Sequence, residues 1–325
     1  MGQTIACANQ KGGVGKTTTV VNLATYLALA GDRVLVIDLD PQGNATSGLG
    51  IDKRQIERSI YNGIVDSVDL TQLILPTAVP GLDLVPSSLA LAGAEIELAG
   101  LMSRERRLQQ ALAKFGSPYD YILVDCPPSL GLLTINALTA ADAVFVPIQC
   151  EYYALEGVSQ LIATINLVRD HLNPDLAIKG VVLTMFDART NLSTEVAAEV
   201  RRHLGPSVYR TVIPRSVRLS EAPSHGLPIA LYRPDSKGAE AYRDLADEFR
   251  ASSATGASSA TGVSSGFTPV TEPAHKPTTL ADPIAGATPG PSTALASETT
   301  NRPRATATVP LVDRTSQPPL VAVEP

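Results

Sequence analysis

A short apolar run, Thr4–Ala8, leads through Asn9 and Gln10 into Lys-Gly-Gly-Val-Gly-Lys-Thr-Thr at 11–18, and a helical pattern follows over Lys16–Ala30. Glycines this dense between a strand and a helix leave the chain few options. Gly12, Gly13 and Gly15 let backbone N–H groups turn inward, and with Val14 and Thr18 they line a nest for an anion above a helix N-terminus and its partial positive charge. Lys16 is expected to reach β- and γ-phosphates, and the Thr17 hydroxyl to ligate Mg²⁺. Gln10 stands where the P-loop formula has its first glycine, so the match is to a variant. Lys11 is the unusual residue, a cation at the mouth of the loop, five residues before Lys16.

The rest of the chain alternates short β-rich runs with longer helical patterns, as a parallel sheet covered on both faces requires. Strands are expected at Thr4–Ala8, Arg33–Asp38, Leu82–Val85, Tyr121–Asp125, Ala143–Ile148, Ile178–Leu183 and Val208–Val212. Helices are expected at Lys16–Ala30, Arg104–Phe115, Leu132–Ala140, Leu155–Leu172, Leu192–Leu204 and Ser236–Arg250, with short helices and loops over 51–81. The fold class is a doubly wound, mostly parallel α/β sheet of the P-loop NTPase type. Residues 1–250 form this domain. Residues 251–325 hold 11 of the 25 prolines and one aromatic residue, Phe267. Such a segment buries too little apolar surface to offset roughly 1–2 kcal/mol of backbone ordering per residue, so a disordered Ala/Ser/Thr/Pro-rich tail is expected.

Other classes fall away. Cys7, Cys126 and Cys150 are few and far apart, which gives neither a disulfide framework nor a zinc site and points to a reducing cytoplasm. The first residues lack the basic and apolar segments of a signal peptide. No apolar run approaches the roughly 20 residues of a membrane helix.

Two further stretches carry carboxylates to strand ends. In IDLDPQGN at 37–44, Asp38 closes a strand and Asp40 lies on the loop beyond it. Asp40 can move toward a γ-phosphate and place a carboxylate beside an attacking water. Asp38 is better placed to hold the site together, through water near the metal; the alternative is that these acids cap a helix near Thr46. In YDYILVDCPPSLG at 119–131, Asp125 ends an apolar strand in a Walker B arrangement, near Mg²⁺ directly or through water.

Taken together, KGGVGKTT, DLDPQGNATSGLG at 38–50, YILVDCPPSLGLLTINAL at 121–138, PIQCEYYALEG at 147–157, VVLTMFDARTNLS at 181–193 and VIPRSVRLSEAPSHGLPI at 212–229 resemble the deviant Walker ATPases of the ParA/MinD superfamily, and most closely the ParA/Soj partition proteins. The likeness spans about residues 2–250. It implies a homodimer sandwiched around two ATP molecules, with Lys11 crossing to the partner's phosphates, Gly12 at the close approach of the subunits, and Asp40 supporting weak, partner-stimulated hydrolysis. It also implies adenine held around Pro214 and Ser216, non-specific binding of double-stranded DNA by the ATP dimer, a ParB-type partner, and a cytoplasmic, nucleoid-associated protein.

Charge supports the DNA expectation. Residues 1–200 carry 13 Lys and Arg against 21 acids, whereas residues 201–250 carry 9 against 6. Arg189, Arg215 and Arg218 match positions linked to the DNA face or the adjacent nucleotide loop, and Arg201, Arg202 and Arg233 could extend the patch. Pairing two patches in a dimer makes affinity depend on ATP and on salt. A membrane-bound MinD-like variant would need a basic amphipathic C-terminal helix, and TSQPPLVAVEP at 315–325 offers none. A reductase relative would need clustered cysteines. An ATP-gated scaffold that positions a non-DNA cargo shares the same ATP dimer and is the second reading.

Overall fold

The computed structural model describes residues 2–116, 118–151 and 154–254. Eight strands form one sheet: β1 Gln3–Cys7, β2 Val34–Asp38, β3 Leu75–Pro76, β4 Leu82–Val85, β5 Tyr121–Asp125, β6 Ala143–Gln149, β7 Ala177–Phe186 and β8 Val208–Pro214. Their order is β3-β4-β2-β5-β1-β6-β7-β8. Every pair is parallel except β3 with β4. The seven expected strands are all present. The two-residue edge strand β3 was not foreseen.

The helices are α1 Lys16–Leu29, α2 Asn44–Gly48, α3 Ile60–Ile64, α4 Leu91–Ala99, α5 Arg107–Phe115, α6 Leu132–Ala140, α7 Ala154–His171, α8 Asn191–Leu204, α9 Val217–Glu221, α10 Ile229–Tyr232 and α11 Lys237–Ala254. The last of these runs four residues beyond the expected boundary at 250. The expected disordered tail lies, past Ala254, outside the described residues.

Strands β1, β2 and β5 are buried along almost their whole length, so they read as continuous apolar runs, as sheets covered on both faces do. Two apolar layers flank the sheet. On one face Leu35, Ile37, Val124 and Ile148 pack with α6, α7 and α8 residues including Ala137, Leu161 and Val200. On the other, Ile5, Val34, Val36 and Phe145 pack with Leu23 and Leu27 of α1 and with Tyr242, Leu245 and Phe249 of α11. The three cysteines are free and buried within these layers.

In-register parallel pairing aligns the strand ends. Cys7 of β1 sits opposite Asp125 of β5, and Asp125 opposite Asp38 of β2. The loops after β1, β2, β4, β5, β6, β7 and β8 therefore all emerge along one edge, where open α/β sheets hold their ligands.

Candidate nucleotide site

The 11–18 loop is bolted to its neighbours. Asn9 donates its side-chain N–H to Pro147 O (2.8 Å) and accepts from Lys11 N (3.0 Å). Thr184 of β7 donates its hydroxyl to Val14 O (2.8 Å). Gly13 (φ 75°) and Gly15 (φ 87°) adopt left-handed backbone that a side chain would strain, and Gly15 caps the start of α1. Gly12 differs. Its backbone needs no glycine, and among the described residues an added Cβ would meet only Pro128 Cβ, at an ordinary 3.8 Å. Internal packing does not account for glycine at 12.

Lys16 is buried, and its ammonium donates to Lys11 O at 3.3 Å, so it lies folded back along the loop. The Lys11 side chain faces away from its own loop toward Glu151, with Nζ 3.2 Å from Oε2. The second Glu151 oxygen accepts from Gln149 Nε2 at 2.5 Å and lies 3.7 Å from Arg215 Nη2.

Three carboxylates lie at or just past the ends of β2 and β5, and they are held differently. Asp38 is fully buried. Its Oδ2 accepts from Thr46 N (2.7 Å) and Thr46 Oγ1 (2.6 Å), and its Oδ1 from Asp40 N (3.2 Å). Burial pushes its carboxyl up to about 6, against the pull of these donors. Asp40 Oδ1 accepts from Gln42 N at 2.9 Å. Buried Ser87, just past β4, closes the network: its hydroxyl donates to Asp40 O (2.6 Å), and its N–H to Thr46 Oγ1 (3.0 Å).

Asp125 contrasts with both. It is fully buried, and among the described residues neither carboxylate oxygen has a partner at ordinary hydrogen-bond geometry. Burial first, and the Asp38 charge second, push its carboxyl well above the ordinary range, while the nearby Thr17 hydroxyl pulls the other way. A buried pair of orphan acceptors beside a threonine hydroxyl fits a hard cation. Among the described residues no three His, Cys, Asp or Glu side chains converge to hold a metal unaided. A cation held here would take its remaining ligands from phosphate oxygens, as Mg²⁺ does in phosphoryl-transfer sites.

The expected metal set thus separates. The Asp125 oxygens are the open acceptors, with the Thr17 hydroxyl beside them. Asp38 does hold the site together, but by capping Thr46, and its oxygens already accept three bonds. The expected contact with the helix near Thr46 is made by Asp38, while the Asp40 carboxylate accepts from Gln42 N.

A family profile described as an AAA domain matches residues 2–178. The sporulation initiation inhibitor protein Soj of Bacillus subtilis is 61% identical over 251 residues, 77% of this chain and 99% of that protein. The chain belongs to the Soj/ParA family of chromosome-partitioning ATPases. The chromosome partitioning protein ParA of Caulobacter vibrioides is 54% identical over 246 residues, 75% of this chain and 92% of that protein. Among solved structures, a cobyrinic acid a,c-diamide synthase from Mycobacterium smegmatis with bound ADP and magnesium superposes with a TM-score of 0.70 at 39% identity, covering 79% of this chain and 98% of that one.

In this Soj/ParA chain, β8 ends at Pro214, and Ser216 opens α9 three strands from the nucleotide loop, about 14 Å along the edge. Arg189, Arg215 and Arg218 also rise from this edge, and each faces an acid. Arg189 makes a two-pronged pair with Asp187 (2.9 and 2.7 Å), which holds that carboxyl down to about 2. Arg218 Nη1 donates to Glu221 Oε2 at 2.8 Å. Arg215 belongs to the loop network through Glu151.

The expected extension of the basic patch is only partly correct. Arg233 lies over the Tyr232 ring (5.7 Å), and Tyr232 OH donates to the same Glu221 oxygen as Arg218, so Arg233 joins the rim. Arg201 and Arg202 do not. They sit near the C-terminus of α8, about 15 Å along the helix from its start at the carboxyl edge. There Arg201 bonds Arg210 O at 3.1 Å and Arg202 pairs with Glu199. Sequence reading passed over Ser87, Thr184 and Glu151. The signal available for Glu151 was its place two residues beyond an apolar strand on the ligand edge.

Proposed function

We propose that this chain is an ATP-hydrolysing partition protein that dimerises on ATP, holds double-stranded DNA without sequence preference, and drives chromosome or plasmid segregation with a ParB-type partner. The observation that carries this reading is the conjunction at the loop mouth. Lys11 reaches outward to Glu151, and Gly12 beside it has space that the described residues do not fill. A cation directed out of its own loop, next to a glycine exposed to close approach, fits a second subunit whose phosphates Lys11 would meet.

In that reading the nest formed by Gly12, Gly13, Val14, Gly15, Thr17 and Thr18 binds the triphosphate, and Lys16 swings from Lys11 O to its oxygens. Thr17 and Asp125 would hold Mg²⁺, which would supply neutralisation of the phosphate charge. Asp40 orients the attacking water from a loop that Ser87 and Thr46 keep in place. Pro214 and Ser216 lie where the base would rest along the edge. Arg189 and Arg218, with Arg233, form a rim for phosphodiester oxygens, doubled in a dimer, so DNA binding follows ATP and falls steeply with salt. The cytoplasm and the nucleoid are its place of work.

Gel filtration and DNA retardation with no nucleotide, ADP and ATP, using the wild-type chain and Asp40→Ala, test the reading. ATP should double the mass and confer DNA retention, and Asp40→Ala should prolong both. Arg189→Glu should abolish retention while sparing ATP binding. Retention indifferent to nucleotide would refute the switch.

A further inference from the structure

The position of Arg215 invites a role other than phosphate contact. One carboxylate, Glu151, lies between two cations that the sequence assigns to different tasks. Its Oε2 is 3.2 Å from Lys11 Nζ, and its Oε1 is 3.7 Å from Arg215 Nη2. Buried Gln149, at the end of β6, fixes the carboxylate through a 2.5 Å bond to Oε1. The lysine comes from the loop after β1 and the arginine from the end of β8, so β6 presents Glu151 to both. Lys11 is the nearer and less exposed partner, with its side chain 34% accessible against 62% for Arg215.

Two cations competing for one anion weaken each other's hold. If Lys11 leaves for a phosphate, Glu151 is not stranded, because Arg215 is already within reach. We propose that Glu151 and Arg215 form a counter-ion exchange for Lys11. Glu151 holds the lysine off phosphate in the free chain, and Arg215 takes over the carboxylate when the lysine moves. Arg215 is then a positioning residue of the nucleotide switch, and Arg189 and Arg218 remain the DNA contacts. The inference rests on the reading of Lys11 as the cation that meets a partner's triphosphate.

The competition fixes opposite signs for two substitutions that each remove one charge. Glu151→Gln releases Lys11 and should lower the ATP concentration needed for dimerisation. Arg215→Gln removes the competitor, tightens Lys11 on Glu151, and should raise it. Exposed ion pairs of this kind set the scale at about two- to five-fold in each direction. The double variant should behave like Glu151→Gln alone, because Arg215 has nothing left to compete for.

The experiment titrates ATP with Mg²⁺ against dimer fraction, by sedimentation of the full chain, in an Asp40→Ala background. A second readout separates the two roles of Arg215: the slope of log DNA affinity against log salt at saturating ATP. Loss of a phosphate contact lowers that slope by about 0.9 per contact, so by about two in a dimer. The expected result is opposite shifts in ATP demand, an unchanged slope for Arg215→Gln, and a slope lowered by about two for Arg218→Gln. Shifts of the same sign, or a slope lowered by Arg215→Gln, would overturn the exchange while leaving ATP-dependent DNA binding intact. A parent chain that stays monomeric at any ATP concentration would instead overturn the reading of Lys11, and the exchange with it.

Discussion

Replacing Asp125 with Asn should have opposite effects on stability with and without ligand. In the free chain the carboxylate is buried, its oxygens lack partners, and the neighbouring Asp38 charge adds repulsion. An unsatisfied buried acceptor costs about 1–3 kcal/mol, more when charged. Asparagine keeps the shape, removes the charge and brings a donor to the Asp38 side. Near 2–4 °C per kcal/mol for a body of this size, Asp125→Asn should melt roughly 2–12 °C above wild type in EDTA. With Mg²⁺ and ATP at about a thousand times the dissociation constant, wild type gains about 4.1 kcal/mol that the variant largely forfeits, and the order reverses. The pH dependence has a definite sign. A carboxyl raised in the folded state favours folding while protonated, and that contribution is lost as pH rises from the ordinary carboxylate range through the raised value. Asparagine does not titrate, so its advantage in EDTA should be larger at pH 8 than at pH 5. Melting curves followed by circular dichroism, in EDTA and in Mg²⁺-ATP at both pH values, measure all four cases. An Asn variant less stable than wild type in EDTA would sink the view that this carboxylate is a held-open cation ligand.

Gly12→Val should leave the free chain within about 1 kcal/mol of wild type by urea unfolding, since its Cβ meets nothing closer than Pro128; it should fail to dimerise on ATP. Thr46→Val removes a donor to Asp38 and the acceptor of Ser87 N, so it should cost about 2–4 kcal/mol in the same assay. Lys179, pushed down to about 8 by burial against Phe249, Gln3 and Ser253, should make stability rise as pH climbs from 8 toward 10.5, because the unfolded chain then binds the extra proton. Lys179→Met should abolish that rise, worth about 1–2 kcal/mol after allowance for its partial exposure.

The sheet was legible because its central strands are covered on both faces and so appear as unbroken apolar runs. The nucleotide loop was legible because left-handed backbone at 13 and 15 demands glycine. Helix α4 was not: Leu91, Ala94 and Leu98 form its buried face, but Leu89, Ile96 and Met102 are exposed and blur the period. Helices α2, α9 and α10 span four or five residues, too few for a periodic signal. Arg201 and Arg202 were grouped with Arg215 by nearness in sequence, which ignores a helix that carries them to the opposite edge. The Asp38–Thr46–Ser87 network joins residues up to 49 apart through hydroxyls, a residue type without positional pattern. The carboxyl-edge rule brings strand ends together, but it does not say which acid will be satisfied by the fold and which left open.

That division accounts for what in this site can move. The base of the site is built from buried hydrogen bonds: Thr46 and Asp40 N–H on the Asp38 carboxylate, and Ser87 on the Asp40 backbone carbonyl. Bonds to charged groups are worth about 1.5–3 kcal/mol, and breaking one strands a buried partner. The rim is built from ion pairs between exposed or half-exposed side chains: Lys11 with Glu151, Arg189 with Asp187, and Arg218 with Glu221. Pairs of that sort contribute about 0–1 kcal/mol, because water solvates either partner once they part. A phosphate offers several charged oxygens to one cation, so it can outbid the carboxylate at the rim and cannot displace the donors at the base. Nucleotide and DNA would therefore exchange counter-ions around a fixed floor, and salt should weaken DNA retention without shifting the melting temperature of the free chain by more than a few degrees. A melting temperature that falls in step with DNA affinity as salt rises would show that the rim pairs support the fold itself.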